Sequence, residues 1–286
     1  MKRKVIGVIG GSGLYQMEGL EEVRHIRLTT PFGKPSGTYV RGTLDDAEIV
    51  FLPRHGEGHQ WLPTELNFRA NIYGMKKLGV ERIISISAVG SLREEIAPGD
   101  VVIPDQFIDR TTQRPSTFFG KGIAAHVSLA DPFCPTLRET LSEAANAQGA
   151  NVHTSGTYIC VEGPQFSTRA ESQLYRSWGA QVIGMTNLQE AKLAREAEIC
   201  YATMALASDY DCWHAEAADV DIQQVIAVLR KNVELARQVI RGALPLVAEE
   251  RACICASALK DAIITQRERI PKRIHKELKP IIGKYM

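Results

Sequence analysis

The feature that most restricts what this chain can fold into is the alternation of short apolar runs with stretches of helical periodicity. Strands are expected at Lys4–Ile9, Glu48–Leu52, Arg82–Ala88, Asp100–Ile103, Thr154–Cys160, Gln181–Gly184 and Ile199–Ala207. Helices are expected at Thr64–Leu78, Pro135–Gln148, Thr168–Ser177, Gln189–Glu196 and Asp221–Leu244, with a further one through Ser257–Arg267. Strands separated by helices must be joined by crossovers, and crossovers bring strands into parallel pairing. The pattern therefore predicts an α/β sandwich around a mostly parallel sheet. Pro245 and Pro271 are expected to end or interrupt helices. Residues 30–42, TPFGKPSGTYVRG, read as a Gly- and Pro-rich loop too short to link two domains.

At 286 residues the chain suits one large α/β domain or two small ones, with ample length for a core. Its net charge of +1 gives no reason to expect a nucleic-acid or membrane partner. The charge is uneven: residues 251–286 carry a net +6, a mixed-sign basic segment that reads as solvated helix. No apolar run has the length of a membrane span. The start, MKRKVIGVIGGSG, is basic and then apolar, but it is short, broken by Gly and has no small-residue cleavage site, so a cytoplasmic protein is expected.

Six cysteines stand at 134, 160, 200, 212, 253 and 255, mostly in apolar surroundings where a free thiol behaves as a small hydrophobe. Cys253-Ile-Cys255 stands apart, since a bridge across one residue is strained and easily reduced. No His/Cys spacing completes a zinc pattern, and no metal is expected.

Five stretches at strand ends carry the chemistry. GVIGGSGLY follows the first strand; its backbone N–H groups and the Ser12 hydroxyl suit a phosphate-sized anion, or simply a tight turn. It is no dinucleotide fingerprint, because Gln16 stands where GxGxxG needs its last glycine. In LPRHGEGHQW, Arg54 and His55 form an anion clamp, a pair of satisfied polar groups or, with His59, a metal pair; Gly56 and Gly58 argue for a loop rather than a ligand-bearing helix. Ser87 and Ala88 end a strand in small residues that admit a ligand against the backbone. Phe166 and Ser167 precede a helix, and Met185 and Thr186 close another strand; alone, Phe and Met are more often core. Last, Ser208-Asp209-Tyr210-Asp211 ends the most apolar run. If strand geometry persists there, the two carboxylates face the same way, in mutual repulsion. Strand ends are where open α/β sheets bind ligands, and no nucleophilic triad or redox motif accompanies these groups.

In order along the chain, GGSG, TPFGKPS, RHG, GSLREEI with PGD, DQFIDRT, ADPFCP, EGPQFSTRAES, MTNLQEAKLAREAEICYA and SDYDCW resemble the 5′-methylthioadenosine phosphorylases of the trimeric purine nucleoside phosphorylase superfamily. The resemblance runs from about Val5 to Leu244, and the last forty residues match less well. Ser12 stands where many relatives have Thr, and Val89 where some have Cys. The resemblance implies a single α/β domain over residues 1–286, with 246–286 a more divergent, basic, helical segment. Its central sheet would be mixed, partly closed as a distorted barrel and flanked by helices. The implied activity is pentosyl transfer in purine and methionine salvage: methylthioadenosine and phosphate give adenine and 5-methylthioribose 1-phosphate. No cofactor is implied, phosphate being a co-substrate.

By matching position, Ser12, Arg54, His55, Ser87, the Ala88 backbone and Thr186 would hold phosphate. Met185 would lie under the ribose, and Phe166 with Ser167 would meet the purine. His126 would be lent across a subunit boundary of a homotrimer or hexamer. Resemblance to thermophilic relatives implies candidate disulfides Cys253–Cys255 and Cys134–Cys200.

The carboxylate pair has a chemical rationale. A purine leaves from an oxocarbenium-like sugar only if N7 is protonated or hydrogen-bonded. A carboxylic acid does this near neutral pH when burial and a like-charged neighbour raise its pKa. Asp209 and Asp211 supply both, with Asp209 expected at N7 and Asp211 towards the 6-amino group. The rivals are a purine nucleoside phosphorylase preferring adenosine or inosine, a Cys-x-Cys redox protein, and a silent nucleoside-binding protein.

Overall fold

In the computed structural model, residues 1–3, 12, 15, 16, 215–221, 248 and 249 lie outside the described residues, as do the side chains of 222 and 224–231. The sheet is organised around β5 (Arg82–Ser91). On one side β5 pairs in parallel with β1 (Val5–Gly10), and β1 with β4 (Ala47–Pro53). On the other it pairs in parallel with β11 (Cys200–Asp209). β3 (Tyr39–Leu44) and β2 (Glu21–Ile26) extend the β4 edge antiparallel. The last residues of β5 turn away to pair antiparallel with β10 (Val182–Gly184), which leads in parallel to β9 (Thr157–Val161) and β7 (Gln106–Arg110). β11 carries a side branch, β6 (Val101–Val102) and β8 (Val152–His153). The sheet is thus mixed and forks where β5 ends.

β1 and nearly all of β11 are buried residue by residue, which is why both read as unbroken apolar runs; central parallel strands are covered on both faces. The period of two divides their side chains between two cores. Ile6, Val8, Ala202 and Met204 pack with α2 (Pro135–Ala147) and α5 (Ile222–Leu246) through Leu137, Leu141, Val239 and Ile240. Val5, Ile9, Ile199 and Tyr201 pack with α1 (Phe68–Lys77) and α4 (Asn187–Glu196) through Ile72, Leu193 and Ala194. α3 (Arg169–Ser177) begins on a capping box: Thr168 accepts from the Glu171 N–H, and Glu171 reaches back to the Thr168 N–H. Asn67 caps α1, so that helix begins at Phe68 rather than Thr64.

The structure departs from the sequence reading in four places. The expected helix at Ser257–Arg267 is absent. Asp261 takes a left-handed φ of 63°, and the backbone is used elsewhere: the Leu259 N–H donates to Glu198 and the Ile264 N–H to the Ala124 carbonyl. Helix returns only in α6 (Lys272–Glu277), which follows Pro271, and α7 (Lys279–Ile282). Second, the 30–42 loop already contains the start of β3, and the charged, exposed edge strand β2 was invisible because its face is never buried. Third, the expected Thr154–Cys160 strand begins only at Thr157, as β9, while the short β8 just before it and the short β7 were missed. Fourth, α5 runs to Leu246, one residue past Pro245, rather than stopping at Leu244.

Candidate active site

The two carboxylates lie together, but strand alternation does not bring them there. β11 bulges between Ala207 and Asp209, and Asp211 takes a φ of 50° at the start of a 3-10 turn, Asp211–Trp213. Asp209 Oδ1 accepts the Asp211 backbone N–H at 2.8 Å, and Oδ2 accepts the Ser208 hydroxyl at 2.6 Å. Asp211 is 4 % exposed, and its Oδ2 has no hydrogen-bond partner among the described residues. The Ser172 hydroxyl, also buried without a conventional partner, lies close enough to offset part of the burial of Asp211. Burial is the main cause that raises both pKa values; the Asp209 charge adds to it at Asp211, while Ser208 and the Asp211 N–H oppose it at Asp209. Gly90 closes the floor: a Cβ there would come within 3.1 Å of Asp209 Oδ1 and 3.3 Å of Asp211 Cβ.

The loop between β9 and α3 reaches this corner. Cys212 Sγ donates to the Ser167 carbonyl at 3.1 Å, and Arg169 donates to the Cys212 carbonyl at 2.7 Å. Phe166 is 48 % exposed, too open to be core, and so differs from the ordinary buried Phe. Met185 packs beside Ile183 and Trp213, and its sulfur lies where a Cβ on Gly163 would stand, at 2.5 Å. Arg114 donates to the Met185 carbonyl and ion-pairs with Glu162 at 2.9 Å, fixing the ends of β9 and β10 against each other.

Arg54 is a different residue from the one the motif suggested. It is 4 % exposed, and all three of its guanidinium nitrogens are engaged: Nε on Glu190 Oε1 at 2.5 Å, Nη1 on the Ile86 carbonyl at 2.8 Å and Nη2 on Ser85 Oγ at 2.6 Å. Glu190, in the first turn of α4, also accepts from Tyr201 and Ser85. Asn187 extends this buried network, donating to Ser85 and Thr203 and accepting from Thr186 Oγ1 at 3.1 Å. Thr186 is the N-cap residue of α4 and makes no capping bond with its side chain. The network therefore joins β1, β5, β11 and the start of α4 directly beneath the strand ends. Sequence reasoning missed Glu190, Ser85 and Asn187. The one available signal was a Glu among small apolar residues in NLQEAKLA, a charge that a buried helix tolerates only when paired.

His55 donates Nδ1–H to the Trp61 carbonyl at 2.8 Å and stacks on His59 at 4.2 Å. Burial, the main cause, lowers its pKa to about 4, so at neutral pH the ring is uncharged and Nε2 is an acceptor. The stacking turns the two rings face to face, unlike a chelating pair. Ser87 and Ala88 lie in the last half of β5, opposite Ala205 and Leu206. Ser12 lies outside the described residues. His126 is exposed on a segment held to the C-terminal region, its N–H on the Ala262 carbonyl at 2.9 Å, and is not hydrogen-bonded to the strand-end groups among the described residues.

All six cysteines are free thiols, so neither Cys253–Cys255 nor Cys134–Cys200 is bridged. Although their spacing completes no zinc pattern, Cys134, Cys200, Cys253 and Cys255 gather in one cluster. Three of these four thiols are buried, which removes the exposed pair that a Cys-x-Cys redox protein needs.

The family model of the Phosphorylase superfamily matches residues 5–245. The chain is 62 % identical to an S-methyl-5′-thioadenosine phosphorylase of Geobacter sulfurreducens, over 99 % of both chains. It is 59 % identical to one of Koribacter versatilis, over 98 % of this chain and 96 % of that one. Its fold superimposes on a crystal structure of a methylthioadenosine phosphorylase from an Antarctic soil metagenomic library with a TM-score of 0.93, at 48 % identity over 98 % of this chain and 99 % of that one. A mutant adenosine/methylthioadenosine phosphorylase from Schistosoma mansoni, in complex with methylthioadenosine, gives 0.82 at 37 % identity, over 87 % of this chain and 93 % of that one.

Proposed function

The chain belongs to the Phosphorylase superfamily, and we propose that it catalyses the phosphorolysis of S-methyl-5′-thioadenosine to adenine and 5-methylthioribose 1-phosphate. A phosphate oxygen forms the new bond to C1′ as the C1′–N9 bond breaks and its electron pair passes to the purine. The sugar in between is oxocarbenium-like and is stabilised by the phosphate dianion on one face. The purine leaves from the other face as its developing charge is taken up by a proton at N7.

The observation that carries this reading is a buried carboxylate oxygen, Asp211 Oδ2, that has no donor, beside a second carboxyl of raised pKa. An adenine 6-amino group is the donor that oxygen lacks. Asp209 is assigned the proton for N7. A 6-oxopurine would set an acceptor against Asp211 instead, at a cost of roughly 1–3 kcal/mol for the mispaired buried edge. Phe166 and Ser167 are assigned to the purine and Met185 to the underside of the ribose.

Phosphate is assigned to Ser12, Ser87, the Ala88 backbone, Thr186 and the 54–55 turn. The N-cap position of Thr186 supports this, because its side chain makes no capping bond and the positive end of the α4 dipole favours an anion. Arg54 then acts mainly as a positioning residue, holding β5 and α4 in register while adding positive charge below the anion. Neutral His55 accepts a proton-bearing phosphate oxygen through Nε2.

The reading includes a homotrimer, alone or paired as a hexamer, in which His126 completes a neighbour's 5′ pocket. Its support is the exposure of His126 beside Ile264, which is 65 % exposed. Light scattering that found a fully active monomer would end that part of the reading. A cytoplasmic location fits the free thiols. The decisive assay measures free adenine from methylthioadenosine with and without phosphate, alongside adenosine and inosine. Phosphate-dependent release, fastest with methylthioadenosine, is expected. Faster cleavage of inosine would favour a purine nucleoside phosphorylase instead.

A further inference from the structure

The far end of β11 holds a cluster that phosphorolysis does not use. Cys200 opens the strand, Cys134 is the N-cap residue of α2, and Cys253 and Cys255 flank Ile254 on the C-terminal segment. Their four sulfurs all lie within 4.8 Å of one another, with 3.3 Å between Cys200 and Cys253. Cys134, Cys200 and Cys255 are 1 %, 2 % and 1 % exposed, and Cys253 is half-buried. We propose that Cys134, Cys200, Cys253 and Cys255 form a tetrathiolate site for one borderline-soft divalent cation, of the zinc class, that clamps the C-terminal segment to the starts of β11 and α2.

Three observations favour a metal over bridges. In a tetrahedral zinc tetrathiolate with bonds of about 2.3 Å, the sulfurs stand about 3.8 Å apart. One observed separation is 3.3 Å and none exceeds 4.8 Å, so little movement is needed. A disulfide takes sulfurs two at a time at about 2.05 Å and leaves no reason for two pairs to share one locus. Here each sulfur has three neighbours, and the donors come from three segments distant in sequence.

Ligand chemistry and charge also agree. Four thiolates and no oxygen donor select zinc-like cations and reject magnesium or calcium. Four protein ligands leave no position for water, which makes the site structural rather than catalytic. An adjoining cavity of about 60 Å³ is lined by Cys134, Cys200 and Cys253 together with Arg82, Arg251 and Glu250. Cys134 is the N-cap residue of α2, whose N-terminus places its positive end beside this thiol. Binding replaces the S–H bonds with metal–sulfur bonds and releases those protons to solvent, with no change in oxidation state.

The test uses the full-length protein, reduced and handled without oxygen, with Zn²⁺ or Co²⁺ alone as the probe. Elemental analysis after desalting should find one metal per chain. The Co²⁺ form should show thiolate-to-cobalt charge transfer and the intense visible bands of a tetrahedral site. Cys253→Ser combined with Cys255→Ser should lose the stoichiometric metal, and chelation should lower the thermal midpoint of the wild type but not of that variant. Two results overturn the proposal: substoichiometric metal with a weak octahedral cobalt spectrum, or a Cys134–Cys200 or Cys253–Cys255 bridge in the unreduced, alkylated peptide map of the anaerobically isolated protein. The cobalt spectrum needs no variant, so a misfolded double mutant leaves the test intact. Neither result bears on the assay for adenine release.

Discussion

β11 ends at Asp209 among groups short of partners and begins at Cys200 among groups that have an abundance of them. At the carboxylate end the ladder is broken by a bulge, Asp211 takes a left-handed φ, and one buried oxygen has no donor. At the thiol end Glu198 is 4 % exposed and serves the Leu259 N–H, Lys284 and Tyr285, three groups of the C-terminal segment. The strand is ten residues long, ends included, and at ~3.3 Å per residue its two ends stand roughly 30 Å apart. One strand thus keeps its unsatisfied groups where ladder pairing stops and a ligand can supply the missing partner. It keeps its saturated groups where the chain is tied down. Substitutions should therefore separate: turnover at the first end, stability at the second.

The largest effect expected is on turnover. Asp209→Asn retains a donor but no transferable proton, and kcat for methylthioadenosine should fall by about 10²–10⁴-fold with a much smaller change in KM. The thermal midpoint should fall only modestly, because the side-chain shape is kept and one of the two hydrogen bonds that Asp209 accepts is lost. Wild-type kcat in Asp209→Asn would break the assignment of chemistry to this end.

Next comes the network beneath the strand ends, where the two behaviours meet. Arg54→Ala leaves Glu190 buried beside Ser85 and Tyr201 without its cation, and should cost about 3–5 kcal/mol of stability by denaturant titration. A well-folded variant with only the phosphate KM raised would show instead that the guanidinium binds the anion directly.

The thiol end has its own pH signature. Burial is the main cause that raises the pKa of Glu196 to about 7, against the opposing Phe118 N–H and Thr117 hydroxyl. A folded-state pKa above the unfolded value means that the native state holds the extra proton. The contribution of Glu196 to stability is therefore fully present below about pH 4.5 and is lost as pH rises to about 7. Glu196→Gln should remove that decline, on the order of 2–3 kcal/mol between pH 5 and 8, and leave the pH profile of kcat/KM unchanged. An identical stability slope in both proteins would refute the assignment.

The smallest effect should come from the helix that supports the carboxylate corner. Thr168→Ala removes the capping box of α3 and should cost about 1 kcal/mol. Because α3 carries Ser172 against Asp211, KM for the nucleoside should rise modestly as well. A stability loss with no change in KM would confine the cap to a structural role.

Much of this was legible before any coordinates. The central strands announced themselves because a strand covered on both faces must be apolar throughout, and the site motifs stood at their ends. β2 was not legible, since an exposed, charged edge strand lacks the burial that creates a pattern. The Ser257–Arg267 segment looked helical from local residues, yet its N–H groups are claimed by Glu198 and Ala124, more than sixty positions away in the chain. Arg54 was recognised as a cation, but its principal partner Glu190 lies 136 positions along.

By itself the sequence determined the α/β class, and it pointed to the strand ends and to the Asp209/Asp211 pair as the candidate site. These depend on hydrophobic period and on the intrinsic acidity of side chains, both local properties. Only the tertiary structure decided that Arg54 is saturated from within, that a bulge rather than strand alternation aims Asp211, and that four cysteines spread over 122 positions meet at one point. Such facts arise when distant segments share a low-dielectric interior, where every charge and polar atom must find a partner that chain order does not reveal.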